Sequence, residues 1–468
     1  MKFHTIGRTL CLLLLLGVIA PAFLSACNAQ CPQVKRDYRS ALGQETSLSR
    51  ELAEGDEPAQ FGVAVKTGLL EDVANTTVQT ALKSGLNALS NVDVGGGQTV
   101  GLDTRGDIVN LRIEASEACD HCFRIGGDLD GSVGLDVPYV GEQSASLDGS
   151  LSLVAPLKLA RGKNGGGVLQ LDLPEAGRLG KSSLNARLGG VQGSWARALQ
   201  SQLSDALLSR LLDELDAVEL LAFDGPDFGI PGLDIFPVEL RSDGQNGTVY
   251  AGFSTNIAAL EGAPGIEPVT DLGDDQNLAF AFNPNLVVHG VSLMMQKDVV
   301  SRTYTADGRP LRAGPARVVV NDFGFSKGRV GELPMALDFR VFNMPDDGGM
   351  CYSFDGRASG RVALRGQHLE VSLSDLDITD SSLPDSIVTI AKWSRADFLQ
   401  GSKRLVRTSL DEENVSVPGG SLAFAGLSIG LAGNAVVLKG ESAVREDGDG
   451  DDGDDADTTG SRRRRSAK

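Results

Sequence analysis

The sequence is poor in the residues that carry enzyme chemistry. It has four histidines in 468 residues, and after His4 they stand far apart, at His121, His289 and His368. It contains no GxSxG nucleophile turn, no HExxH helix and no GxxxxGK(S/T) phosphate loop. Hydrolysis and phosphoryl transfer therefore lack their usual working parts, and neither an enzyme nor a cofactor or metal is expected. The carboxylate pairs Asp274–Asp275 and Asp346–Asp347 lie among Gly and Pro and read as solvated turns. Positive charge is also scarce: 43 Lys and Arg stand against 62 Asp and Glu, for a net charge of −19. That excludes a general nucleic-acid binder, which needs a cationic footprint. Aromatic residues make up 5% of the chain. After residue 26 no apolar run is long enough to span a bilayer, which takes about 20 residues.

What is present begins at Met1. Lys2 and Arg8 precede an apolar run from Leu10 to Ala22, the size of a signal-peptide core. Leu24-Ser25-Ala26-Cys27 then matches the lipobox of bacterial lipoproteins. There the cysteine thiol becomes a thioether to diacylglycerol, and small residues let the chain lie extended in a peptidase cleft. Residues 1–26 are read as the signal and Cys27 as the lipid attachment site. In the sorting rule of enteric lipoproteins, Asp after the cysteine retains the protein in the inner membrane. Asn28 therefore points to the outer membrane, with leaflet open. Two or three acyl chains suffice for stable anchoring. Residues 27–59 are polar without sustained period and read as a tether, a leash of roughly 30 Å if coil-like.

Four cysteines remain: Cys31, Cys119, Cys122 and Cys351. An exported chain permits disulfides, in three possible pairings. Cys119-Asp-His-Cys122 has three readings: a local disulfide, a redox dithiol or half a zinc site. A thioredoxin-like dithiol belongs in a βαβ unit, and zinc needs two further ligands. Here the motif sits between two alternating segments, Ile108–Ala115 and Gly127–Val137, which form a hairpin, so the disulfide is favoured. Cys31 with Cys351 would then be the leftover pair, by arithmetic alone.

The rest of the chain alternates between two periods. Leu69-Leu70, Val73, Val78, Leu82, Leu86 and Leu89 recur in steps of three and four, the mark of an amphipathic helix. From Leu111 the period becomes two, through Leu129–Val137, Leu147–Leu153, Leu169–Leu173 and Leu184–Leu188, separated by Gly, Pro and Asn. These are strands of an antiparallel meander. Glycine is abundant, at 58 residues, and inside strands it favours bending. A second helix carries Trp195, Leu199, Leu203, Leu207, Leu211, Leu215 and Val218. The order then recurs from Leu278–Phe282. A helix starts at Asn283-Pro284 with Leu286, Val287, Val291, Met294 and Val299. Strands follow at Val318–Val320, Leu337–Val341, Val362–Leu364 and Leu369–Leu373. A helix runs from near Pro384 to Val406, and two closing strands complete the pattern.

The arrangement resembles the tubular lipid-binding superfamily of bactericidal/permeability-increasing protein, lipopolysaccharide-binding protein and cholesteryl ester transfer protein. Gly62-Val63-Ala64-Val65-Lys66-Thr67-Gly68-Leu69-Leu70-Glu71 resembles that family's opening strand and helix start. The leucine-rich helix from Trp195, followed by Pro231, Leu233, Ile235 and Val238, resembles its second helix and exit. The likeness spans most of residues 60–441. It implies an α+β fold of two tandem modules, 60–262 and 263–441, each a highly curved antiparallel sheet wrapped around long amphipathic helices, with apolar tubes for acyl chains. Leu70, Val73, Leu86, Leu207, Leu211, Val287, Val291, Met294 and Met295 are the lining candidates, Met suiting an irregular cavity. The animal members' helix cysteine and cationic tip are missing, which sets lipopolysaccharide neutralisation aside. Residues 442–468, acidic and then Arg462–Arg465, read as disordered. The expected partner is a lipid or other amphipathic apolar ligand, plus the membrane through Cys27. The competing reading is a structural or adhesive envelope lipoprotein with a solid core and protein partners.

Overall fold

The computed structural model describes residues 31–49 and 57–446, except 89, 94–98, 120, 138–140, 163–165, 180–181, 191–193, 217, 224–229, 305–309, 312–313, 330, 347–349, 366–367, 383–406, 410–414 and 418–419. The segment read as a signal peptide, Cys27, the helix expected from Pro384 to Val406 and the Arg462–Arg465 run lie outside these residues.

The first element corrects the tether. Helix α1 covers residues 31–43. Val34 and Tyr38, four apart and so on one helical face, are buried against Val319, Phe342, Met344 and Cys351. Its few apolar positions are too sparse to show as a period in the sequence.

Strand β1 (Phe61–Lys66) is apolar throughout and buried on both faces, as a central strand requires. It runs directly into α2 (Thr67–Asn87), whose Leu70, Val73, Val78, Leu82 and Leu86 are at most 1% exposed. The meander follows: β2 (Asn91–Asp93), β3 (Thr99–Ser116), β4 (Cys122–Val137), β5 (Gly141–Arg161) and β6 (Gly167–Leu171), then α3 (Leu173–Leu179) and β7 (Ser183–Gly189). β5 pairs with β4 along most of its length, with β7 over Ser146–Ser152, and gives its last five residues to β6. Glycine at 106 has a steric cause: a Cβ there would come within 2.8 Å of the Leu86 side chain and 3.1 Å of the Asp130 carbonyl. The helix thus lies directly on the sheet. Helix α4 (Ser194–Asp216) closes this half, followed by β8 (Glu219–Phe223) and the hairpin β9 (Ile235–Asp243) and β10 (Thr248–Thr255).

The second half repeats the entry with β11 (Leu278–Phe282) and α5 (Pro284–Gln296). Asn283 caps α5, its side chain accepting from the Asn285 N–H, and its Nδ2 donates to Gln60 Oε1 at 2.8 Å. Then come β12 (Thr303–Tyr304), β13 (Pro310–Leu311), β14 (Ala316–Phe325), β15 (Glu332–Asn343), β16 (Tyr352–Arg365), β17 (His368–Ser381), β18 (Arg407–Ser409), β19 (Val415–Val417), β20 (Gly420–Ala432) and β21 (Ala435–Glu446).

The architecture is sheet-rich and antiparallel, in two sheets. One has 14 strands in the order β2-β3-β4-β5-β6-β8-β19-β20-β21-β11-β1-β10-β9, with β7 on β5; the other has seven, β13-β12-β14-β15-β16-β17-β18. Toward the β9 end of the larger sheet β1 and β11 run antiparallel, each paired on both edges, with Val63 opposite Phe280. The β9–β10 hairpin flanks β1 and the β20–β21 hairpin flanks β11. Across the boundary expected between residues 262 and 263, β1 bonds to β11, and β8 bonds to β19. An apolar strand buried on both faces must also satisfy both of its edges, and each half supplies the other's missing partner. The tail boundary also moves, because β21 continues through residues 442–446 and Ser442 donates its N–H to Asn277 Oδ1.

Gly62 earlier marked the opening motif. Its reason is contact: a Cβ there would sit 2.4 Å from the Tyr250 hydroxyl. The Tyr250 ring lies fully buried across this glycine, and burial pushes its hydroxyl pKa up. On the same face, Ile266, Val269 and Leu272 from the linking segment pack against Ala64, Ala279, Ala281 and Val437.

Candidate functional site

The opposite face of the central sheet opens into the two apolar interiors. Phe280 and Phe282 border both of them. On the first side the interior is filled. Leu70, Val73 and Leu86 of α2 and Leu207 and Leu211 of α4 are 0–1% exposed, packed with Ile108, Leu129, Leu147 and Leu153 of the meander. These five sequence candidates are brought together, as core. Solvent-accessible hollows lie elsewhere and are polar. One of ≈880 Å³ runs between β5, β7 and α4 past Asp148, Asn185, Arg187, Gln200 and Asp205. Another of ≈540 Å³ lies over Arg112, Glu114, Arg124 and Asp128. None of these offers an acyl chain an apolar wall.

The second side differs. Leu333, Met335, Phe339, Val341, Ala358 and Val362 are buried on the inner face of the seven-stranded sheet. Around them lie side chains that are only half-buried: Tyr304, Val318, Phe323, Phe325, Leu337, Phe354, Leu364 and Leu431. The rings of Phe323 and Phe325 meet edge-to-face with centroids 4.7 Å apart. The outer face of the same strands is a charged ladder: Arg340 with Asp355, Arg357 with Asp338, and Arg361 with Glu332. The bonded Arg357 guanidinium holds the Asp338 carboxyl below its ordinary pKa. With charges on one face and partly exposed rings on the other, the sheet's orientation is fixed, and its inner side is an apolar surface that the described residues do not fully close.

Helix α5 sits between these regions. Its buried face comprises Leu286, Val288, Leu293 and Met295; of the sequence candidates, Met295 is buried while Val287, Val291 and Met294 are half-buried. Leu286, Leu293 and Met294 join the first interior. Val288, His289 and Ser292 instead line a crevice of ≈400 Å³ with Gln44, Glu45, Asn321 and Arg340. Burial lowers the His289 pKa, so the ring favours its neutral form.

Sequence reasoning missed the aromatic face. Its signal was the distribution of a scarce residue type: Phe280, Phe282, Phe323, Phe325, Phe339 and Phe354 fall within 75 residues of the chain.

Both disulfides favoured from the sequence stand in the structure. Cys119 and Cys122, with Cα atoms 5.3 Å apart, close the turn between β3 and β4. Cys31 and Cys351, at 4.9 Å, join α1 to the seven-stranded sheet. Among the described residues no group of three His, Cys, Asp or Glu could hold a metal ion, and no helix is long and apolar enough to cross a membrane.

No protein-family model matches the sequence, and no curated protein matches it. Among solved structures, lipopolysaccharide binding protein aligns over 83% of this chain and 100% of its own, with 10% identity and a TM-score of 0.37. Latherin aligns over 32% of this chain and 74% of its own, with 19% identity and a TM-score of 0.18.

Proposed function

We propose that the protein is a lipid-anchored lipoprotein of the cell envelope, held in the outer membrane through Cys27, that binds or transfers lipid acyl chains. It is a binding protein rather than an enzyme, built as two tandem modules spliced through the central sheet. The observation that carries this reading is the half-covered aromatic face of the seven-stranded sheet, continuous with Phe280 and Phe282. Magnitude decides what such a face can hold. Each buried methylene contributes about 0.8 kcal/mol. About ten of them reach about 8 kcal/mol, the range of micromolar binding before the cost of immobilising a flexible chain. A long acyl chain meets that requirement and a short organic acid does not.

The competing reading is a structural or adhesive lipoprotein. The interior beneath α2 and α4 is solid, so the first half provides no tube. In the lipid-binding reading the first half is the scaffold and the second half the carrier.

The test is native mass spectrometry of the protein purified from cells, with titration by a fluorescent long-chain fatty acid. Co-purified lipid and saturable micromolar uptake are expected. Absence of both overturns the acyl-chain reading and leaves the adhesive one. Intact-mass measurement of the same sample checks for a diacylglyceryl group on Cys27.

A further inference from the structure

The amino-terminal helix is fixed to the body from several sides. Cys31 is bonded to Cys351. The Tyr38 ring packs on Phe342 with centroids 5.3 Å apart, and the Arg317 guanidinium lies 5.3 Å from the Tyr38 centroid. Just past the helix, Glu45 receives Arg302 at 2.7 and 2.8 Å, and the Ser49 N–H reaches the Asn256 carbonyl at 2.7 Å. A segment held by a disulfide, a ring stack and a largely buried ion pair cannot swing as a leash.

The free side of this helix has a composition unlike the rest of the molecule. Its exposed residues include Lys35, Arg36 and Arg39, which share one face at helical spacing. Its one acid, Asp37, is half-buried at the margin and accepts from Gln33. Among the described residues none of the three cations holds an ion pair. In a chain of net charge −19 this is a basic plate on an acidic body.

Cys27 lies four residues before Cys31. Fully extended, four residues reach about 14 Å, so an acylated Cys27 places the bilayer surface about that far from the start of α1. Lys35, Arg36 and Arg39 follow within three helical turns. We propose that the exposed face of α1 docks on the anionic headgroups of the membrane that holds the lipid anchor, as a second attachment that fixes how the body is presented to the bilayer. The proposal rests on the reading of Cys27 as acylated. The occupant follows from charge complementarity and from where the acyl chains must lie. A single acyl chain anchors weakly and a basic patch is the usual second signal. With two or three chains, the patch adds orientation rather than retention.

The test uses the full chain carrying Cys27→Ser, so that no acyl group contributes, and measures its partition onto vesicles by sedimentation. One vesicle set is zwitterionic phosphatidylcholine and the other contains phosphatidylglycerol. The same chain with Arg36→Gln and Arg39→Gln is the comparison; Lys2 and Arg8 are common to both and cancel. Partition onto the anionic vesicles is expected to fall about 25-fold, about fivefold per cation, and to fall further at high salt. Partition onto phosphatidylcholine is expected to be unchanged. Equal partition of the two proteins onto anionic vesicles overturns the proposal, as it would if the face served an acidic protein. An equal loss on both vesicle types also overturns it, as does a loss accompanied by a lowered melting temperature. The failure of acylation itself reads out separately, as a missing diacylglyceryl mass on Cys27 in the parent protein.

Discussion

The two halves enter the central sheet in the same way and then diverge. In the first, a strand leads into a long helix, and a second helix repeats leucine at every fourth position from Leu199 to Leu215, each at most 1% exposed. Straight, regular stripes of one branched residue type fill the concave side of the meander completely. In the second, α5 is shorter and divides its faces between the first interior and the polar crevice. The inner face of its sheet is lined by phenylalanines, among which Phe323, Phe325 and Phe354 stay partly exposed. Similar topology does not entail similar interiors. Leucine stripes give a solid core, and large flat side chains with few partners give an apolar surface that a ligand can complete.

The contrast can be broken by mutation. Leu211→Asp places a charge in the solid interior and is expected to cost about 5 kcal/mol or more, read as loss of the cooperative urea transition. A first half that tolerated this change would not be solid. Replacing Cys31 and Cys351 by serine removes a cross-link spanning a sequence separation of 320 and is expected to cost about 2–5 kcal/mol. That loss should appear in the urea midpoint without abolishing fatty-acid uptake. On the second side, Phe354→Ser is expected to lower stability by about 2 kcal/mol, since its ring is only partly buried, while weakening fatty-acid binding about tenfold in a fluorescence titration. Equal binding by this variant would detach uptake from the aromatic face.

The smallest effect sharpens the boundary between the regions. The lowered pKa of buried His289 means that the unfolded chain binds more protons than the folded one from near pH 6.5 downward. Stability should therefore decline as pH falls from 7 to 5.5, and His289→Gln should flatten that slope in urea midpoints measured at the two pH values.

Much of the fold could be read from local pattern. The hairpin around Cys119 and Cys122, the stripe that became α4 and the capped start of α5 each follow from period and turn chemistry within a short window. What escaped was non-local. Nothing near Cys31 announces that residue 351 waits for it, and the few apolar residues of α1 acquire a meaning only beside Phe342 and Met344. Pairing between β1 and β11 is invisible for the same reason, because an all-apolar strand states that it is buried but not by whom. At the candidate site, attention to helices favoured Val287, Val291 and Met294. The partly exposed aromatic surface belongs to strand residues such as Phe323 and Phe354, whose alternation reads equally well as ordinary core.

The splice between halves also sets an order of events during synthesis. A chain that emerges from its amino terminus presents β1 long before β11, and β8 nearly two hundred residues before β19. Until those partners arrive, two apolar strand edges stand open, and such edges invite pairing with other chains. Closing loops of that length is slow. The newly made chain therefore passes through a period in which it is prone to associate with itself: the β1 edge closes when β11 arrives, and the β8 edge stays open until β19 takes its place just before the final hairpin.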